Sequence, residues 1–161
     1  MTETIPNIEI IPFSEELAIH FTRLNTDWLE KYFVVEPVDI NMLGNPKDFF
    51  IDKGGFIFFA QLNGGIAGTF ALLKESDSVF ELSKMAVDEK YQGMKVGNRM
   101  LEFCIAKAKE LNIAKIILYS NTKLKPAIHL YEKYGFIEAP IIHSIYKRSD
   151  IKMELVISQV K

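Results

Sequence analysis

The chain has 161 residues, 48% of them hydrophobic and 25% charged, with a net charge of −2. That length suffices to bury a real core as a single domain, residues 1–161, and the composition is that of a soluble globular protein. The acidic balance (isoelectric point near 5.9) argues against a nucleic-acid partner, which needs clustered excess Lys and Arg, and the lone Cys104 rules out an intrachain disulfide.

The opening MTETIPNIEI lacks a basic stretch followed by an apolar run, and no apolar segment approaches membrane-spanning length. The expected location is the cytoplasm, without membrane contact. Residues 8–12 read as a short strand. Ser14 is placed to cap a helix running to Tyr32, with Leu17, Phe21, Leu24, Trp28 and Leu29 on its apolar side. The stretch 34–46, with two prolines, is expected to be irregular, followed by a short helix near 47–51.

Strands are expected over 56–62 and 66–73, joined by Asn63-Gly64, a two-residue turn that needs positive φ. A third strand spans 79–87. A helix over 96–111 carries Cys104 on a stripe with Leu101, Ile105, Ala108 and Leu111, so the thiol reads as buried. A strand over 115–119 returns parallel to its predecessor. Pro126 suits the first turn of the next helix and Gly135 its left-handed end. Residues 152–160 alternate as a last strand that either closes the sheet or pairs with a second copy, a possible homodimer. Three consecutive strands followed by helix, strand, helix and strand indicate a mixed α+β fold.

Residues 80–97, FELSKMAVDEKYQGMKVG, carry the chemistry. A strand bearing Glu81 leads to a glycine-flanked loop that opens directly into a helix, which aims main-chain N–H groups and a positive helix end at an anion. Lys90, Lys95 and Arg99 suit one pyrophosphate. The loop contains neither GxGxxG nor a GK[ST] ending. On the glycines alone an ordinary strand-to-helix turn is an equal reading.

The segment 91–97, YQGMKVG, resembles the acetyl-coenzyme A loop of the GCN5-related N-acetyltransferases (GNAT), Gln/Arg-x-x-Gly-x-Gly/Ala; Gln92 and Gly97 match its first and last positions. Lys95 departs from it, since a glycine is usual there, and a left-handed backbone at a lysine carries strain of roughly 1 kcal/mol. A second resemblance lies in 127–136, AIHLYEKYGF, similar to the family's late helix ending LYxKxGF. The family's frequent asparagine seven residues before the tyrosine is here Leu124.

The resemblance implies a GNAT-like fold, a central mixed and largely antiparallel sheet flanked by helices and splayed at the acetyl-CoA site. It implies an N-acetyltransferase using acetyl-CoA as donor and no metal. Glu81 would take the amine proton and Tyr131 would protonate the departing thiolate. Met85, Ala86 and Val87 would pair with the pantetheine arm, and Gln92, Gly93, Met94, Lys95, Val96, Gly97 and Asn98 would hold the pyrophosphate. Asn121 is a ligand candidate, with turn formation as the alternative, and Lys123 or Lys125 could meet the ribose phosphate. The acceptor, a small-molecule or peptide amine, is expected near Asn25, Trp28, Tyr32, Glu36 and Asp39, where acidic groups would attract a cation. His20, His129 and His143 read as structural. Two other classes stay open: a non-catalytic acyl-CoA sensor or partner-binding domain, and a nucleotide-binding protein using the same loop.

Overall fold

In the computed structural model, residues 7–142 and 147–157 are described. Seven strands among them form one sheet: β1 (Ile8–Pro12), β2 (Phe56–Leu62), β3 (Gly65–Lys74), β4 (Val79–Val87), β5 (Lys115–Ser120), β6 (Ile137–Ala139) and β7 (Ile151–Val156). Their order is β1-β2-β3-β4-β5-β7-β6, and β4–β5 is the parallel pair in an otherwise antiparallel sheet. The helices are α1 (Ala18–Tyr32), α2 (Pro37–Gly44), α3 (Val96–Glu110) and α4 (Lys125–Lys133).

Alternation along each strand divides the core between the two faces of the sheet. Phe58, Phe70, Phe80, Leu82, Ile116 and Leu118 pack with Met100, Leu101 and Cys104 of α3. Ile57, Phe59 and Ala71 point the other way, onto Phe21 and Leu29 of α1 and Met42 and Leu43 of α2. Both faces are covered, which is why β2 reads as an almost unbroken apolar run. Asn63 and Gly64 turn with φ of 51° and 81°, as the hairpin requires.

Four expectations need correction. Residues 37–44 are helical: Pro37 occupies the first turn, where it loses no hydrogen bond, and the Asp39 carboxylate accepts the Glu36 N–H at 2.9 Å. Ser14 precedes a 3₁₀ turn, Glu15–Leu17, and its side chain makes no capping hydrogen bond. The strand β6 was not foreseen. The final strand β7 lies inside the sheet, between β5 and β6, so the edge there belongs to β6. Residues 158–160 of the expected strand and His143 lie outside the described residues. No described helix is long and apolar enough to cross a membrane.

One irregularity opens the middle of the sheet. Ala71 pairs with Ser83 and Thr69 with Ala86, so Phe70 faces both Lys84 and Met85. This is a β-bulge, and Lys84 sits in it at φ 54°. The extra residue bends β4 away from β5, whose pairing with β4 covers only Val79↔Lys115, Phe80↔Ile116 and Glu81↔Ile117.

Candidate active site

Beyond Glu81 the two parallel strands diverge, and their main chains border a cavity of about 1050 Å³ lined by residues 82–87 of one and 118–121 of the other. Strand edges opened this way keep polar main-chain groups that an extended, amide-bearing ligand can engage as another strand would.

The loop before α3 also borders the cavity. Gly93 has φ 82° and Lys95 has φ 63°, both left-handed, so the lysine does carry the strained conformation. The left-handed turn at Lys95 sets the first amides of α3 toward the cavity, where the helix itself leaves them without partners. Gly97 is needed for a close approach: a Cβ there would meet Leu130 Cδ2 of α4 at 3.2 Å. Gln92, Gly93, Lys95, Val96, Gly97 and Asn98 all line the cavity, as do Met85, Ala86 and Val87. Met94 does not; it is 41% exposed on the outer side of the loop. Of the basic cluster only Lys95 reaches the wall, while Lys90 and Arg99 lie over the rings of Tyr91 and Phe103.

Glu81 sits where the strands part. It pairs across with Leu73, which packs toward α1 and α2, and directly opposed residues share a face, so its carboxylate points to the helix-α1 side. It is 4% exposed yet lines the cavity. Burial pushes its carboxyl from 4.5 to about 7, helped by the Glu75 carboxylate, which hydrogen-bonds to it; Lys84 and Ser83 pull in the opposite direction. Tyr119 packs toward the same face of the sheet, and burial, then Glu81 and Glu75, raise its hydroxyl. A carboxylate that titrates near neutrality is matched to general-base work. Replacing Glu75 by Gln is expected to lower the Glu81 pKa, moving the acid limb of the kcat/KM–pH profile to lower pH. An unmoved limb would remove Glu75 from the electrostatics of the site.

Tyr131 lines the cavity from α4. Burial holds its hydroxyl at about 12, so it stays protonated at any working pH. Asn121 borders the cavity, but its amide donates to the Arg148 carbonyl at 2.7 Å and its oxygen accepts the Lys123 N–H at 3.0 Å. Those bonds give the side chain the turn-forming role. Lys123 turns toward α1, donating to the Tyr32 carbonyl at 2.9 Å. Cys104 is fully buried with its thiol pushed up to about 12, which makes it inert.

On the α1 side, Asn25, Trp28 and Tyr32 line the cavity, whereas Glu36 and Asp39 do not. Asp39 is fully buried and holds Lys84 Nζ at 2.6 Å and both terminal nitrogens of Arg148 at 2.8 and 2.9 Å. Glu36 accepts from Arg148 at 2.8 Å. This network ties α2, the β4 bulge and the segment before β7 together, and it fills the carboxylates that the sequence offered to a cation. Sequence reasoning missed Lys84 and Arg148, both of which line the cavity. Lys84 had a signal, a cation three residues after Glu81 inside an otherwise mostly apolar strand; Arg148 is 109 residues from Asp39 and had none.

The profile of the Acetyltransferase (GNAT) family matches residues 19–136. The N-acetylaspartate synthetase of Xenopus tropicalis is 32% identical over 103 residues, which cover 60% of this chain and 36% of that protein; the chain thus spans about a third of that relative. The ribosomal protein bS18 alanine N-acetyltransferase of Escherichia coli K12 is 29% identical over 112 residues, 69% of this chain and 76% of that one. Among solved structures, an acetyltransferase of GNAT family from Staphylococcus aureus Mu50 has a TM-score of 0.84 at 23% identity, covering 94% of this chain and 100% of that chain. The yncA protein of Salmonella typhimurium, solved with acetyl-CoA, has a TM-score of 0.74 at 15% identity, with 95% of each chain covered. These structures share the fold: a mixed, largely antiparallel sheet, open rather than closed into a barrel, with helices on both faces.

Proposed function

Since the chain belongs to the GNAT acetyltransferase family, we propose that it moves an acetyl group from acetyl-CoA to a primary amine by direct attack in a ternary complex. The observation that carries this reading is the buried Glu81 carboxylate at the point where β4 and β5 part, with a helix-end anion loop lining the same cavity.

The residues fit the donor. Left-handed Gly93 and Lys95 and the amides after them suit a pyrophosphate, the Lys95 charge offsetting its backbone strain, and the opened edge of residues 85–87 suits an arm bearing amides. Acetyl-CoA supplies the acetyl group as an activated thioester. Glu81 takes the proton of the acceptor ammonium, because a free alkyl amine with a pKa near ~10 is mostly charged at neutral pH. The nitrogen then forms its bond to the acetyl carbon, the carbon–sulfur bond breaks, and the second nitrogen proton passes to the departing thiolate, giving the amide and the free thiol of coenzyme A. Tyr131 hydrogen-bonds the departing sulfur. With its own hydroxyl at about 12, its transfer of a proton to a thiolate is uphill, so hydrogen bonding is its larger contribution. Holding both reactants in one cavity supplies much of the rate without a covalent enzyme intermediate.

The test is thiol release from acetyl-CoA in the presence of pooled primary amines. Amine-dependent release is expected. Tyr131→Phe is expected to lower kcat by about tenfold, the size of one lost hydrogen bond to the departing sulfur. Acetyl-CoA binding with no release for any amine would leave an acyl-CoA sensor, and ATP competing with acetyl-CoA would point to a nucleotide-binding protein.

A further inference from the structure

A second positive charge on the acceptor would find no welcome in this cavity. Proteins recognise an added cation with a carboxylate or an aromatic face, and here the carboxylates of α2 and the Tyr32 and Phe33 rings already face the protein's own cations. The Asp39 and Glu36 carboxylates hold Lys84 and Arg148. On α1, Lys31 lies 5.2 Å from the centre of the Tyr32 ring, and Lys123 lies 4.1 Å from that of Phe33. Among the described residues the charged groups lining the cavity are Lys31, Lys84, Lys95, Lys123, Arg148 and, alone in negative sign, Glu81. Glu81 is committed to the amine proton.

These cations differ in what they face. Lys95 lies at the anion loop. Lys31 pairs with Glu89 and Lys84 with Asp39. Lys123 is held by a main-chain carbonyl and an aromatic ring, and among the described residues it forms no ion pair. It is docked on the end of α1, and α1 packs against the sheet face that carries Glu81, whereas α3 packs on the other. Glu81 and Lys123 thus stand on the wall of one cavity, a base for an amine and a cation for an anion.

We propose that the acceptor is a molecule that carries a carboxylate close to its reactive amine, with Lys123 as the specificity-determining cation. This rests on the transferase reading of the site. The amine is drawn to Glu81 and the carboxylate to Lys123, while a diamine meets one carboxylate and several cations.

The experiment compares matched acceptors by thiol release from acetyl-CoA: 4-aminobutyrate against 1,4-diaminobutane, diglycine and dialanine against their C-terminal amides, and spermidine. Each carboxylate is expected to exceed its neutral or cationic match in kcat/KM by about tenfold or more. Lys123→Glu is expected to lower kcat/KM for the carboxylate members about tenfold and to raise it for the diamine. An equal fall for both would mark Lys123 as structural and overturn its part. With acetyl-CoA binding established by calorimetry and release established with the pooled amines, a preference for diamines, or silence across this panel, would overturn the carboxylate proposal alone. Failure to bind acetyl-CoA would overturn the transferase reading beneath it.

Discussion

Glu81→Gln is expected to lower kcat/KM about 10²- to 10⁴-fold while leaving acetyl-CoA affinity within about twofold. The glutamine keeps the shape of the side chain and loses its basicity, and Glu81 belongs to β4, not to the loop proposed to hold the pyrophosphate. The same substitution has a signature in stability. A carboxyl raised from 4.5 to about 7 in the folded protein contributes stability that is fully present below its unfolded value and is lost as pH rises through the folded one. At roughly 1.4 kcal/mol per tenfold change in proton affinity, that loss is about 3 kcal/mol. Denaturant melts of the wild type should therefore weaken between about pH 4.5 and 7 through this group, and those of Glu81→Gln should lack that component. A variant with wild-type kcat/KM would deny Glu81 its chemical role even if the stability signature appeared.

Asp39→Ala is expected to destabilise the fold by about 3–5 kcal/mol, lowering Tm by roughly 6–20 °C. Burial alone would raise the Asp39 carboxyl, but hydrogen bonds from Arg148 and Lys84 outweigh it and hold it below 3.8. Burial pushes Lys84 below 10.5, against the pull of Asp39. Removing the shared carboxylate leaves a cation with 3% of its side chain exposed beside a second one. The further substitution Lys84→Met, which removes the stranded charge, should recover part of the loss. Additive destabilisation in the double variant would show that the two groups are not energetically coupled. The network also bears on function, because Lys84 sits in the bulge that opens β4 from β5.

How far this was legible in the sequence depended on the range of the contact. Local patterns carried the strands: the unbroken apolar run of β2, the Asn63-Gly64 turn and the crossover through α3 read as they stand. The left-handed requirement at Lys95 was also readable, since glycine is usual at that place in the resembling loop. Residues 37–44 read as irregular because proline usually breaks a helix, although Pro37 with an acidic residue two positions on is a helix start. A three-residue strand such as β6 is too short to leave a period. The bulge at Lys84 is a mismatch between two strands and has no signature in one of them. The acceptor side failed for a related reason. Glu36 and Asp39 looked available to a cation, and what fills them is Arg148, more than a hundred residues away.

The most direct test of the central claim is a calorimetric titration of the purified protein with acetyl-CoA, with ATP as the control ligand. The account predicts one saturable site of micromolar affinity for acetyl-CoA, unchanged in Glu81→Gln, and no comparable heat with ATP. An absence of acetyl-CoA binding would mean that the loop at Lys95 does not hold the donor, and the assignment of this cavity as an acetyl-transfer site would be contradicted.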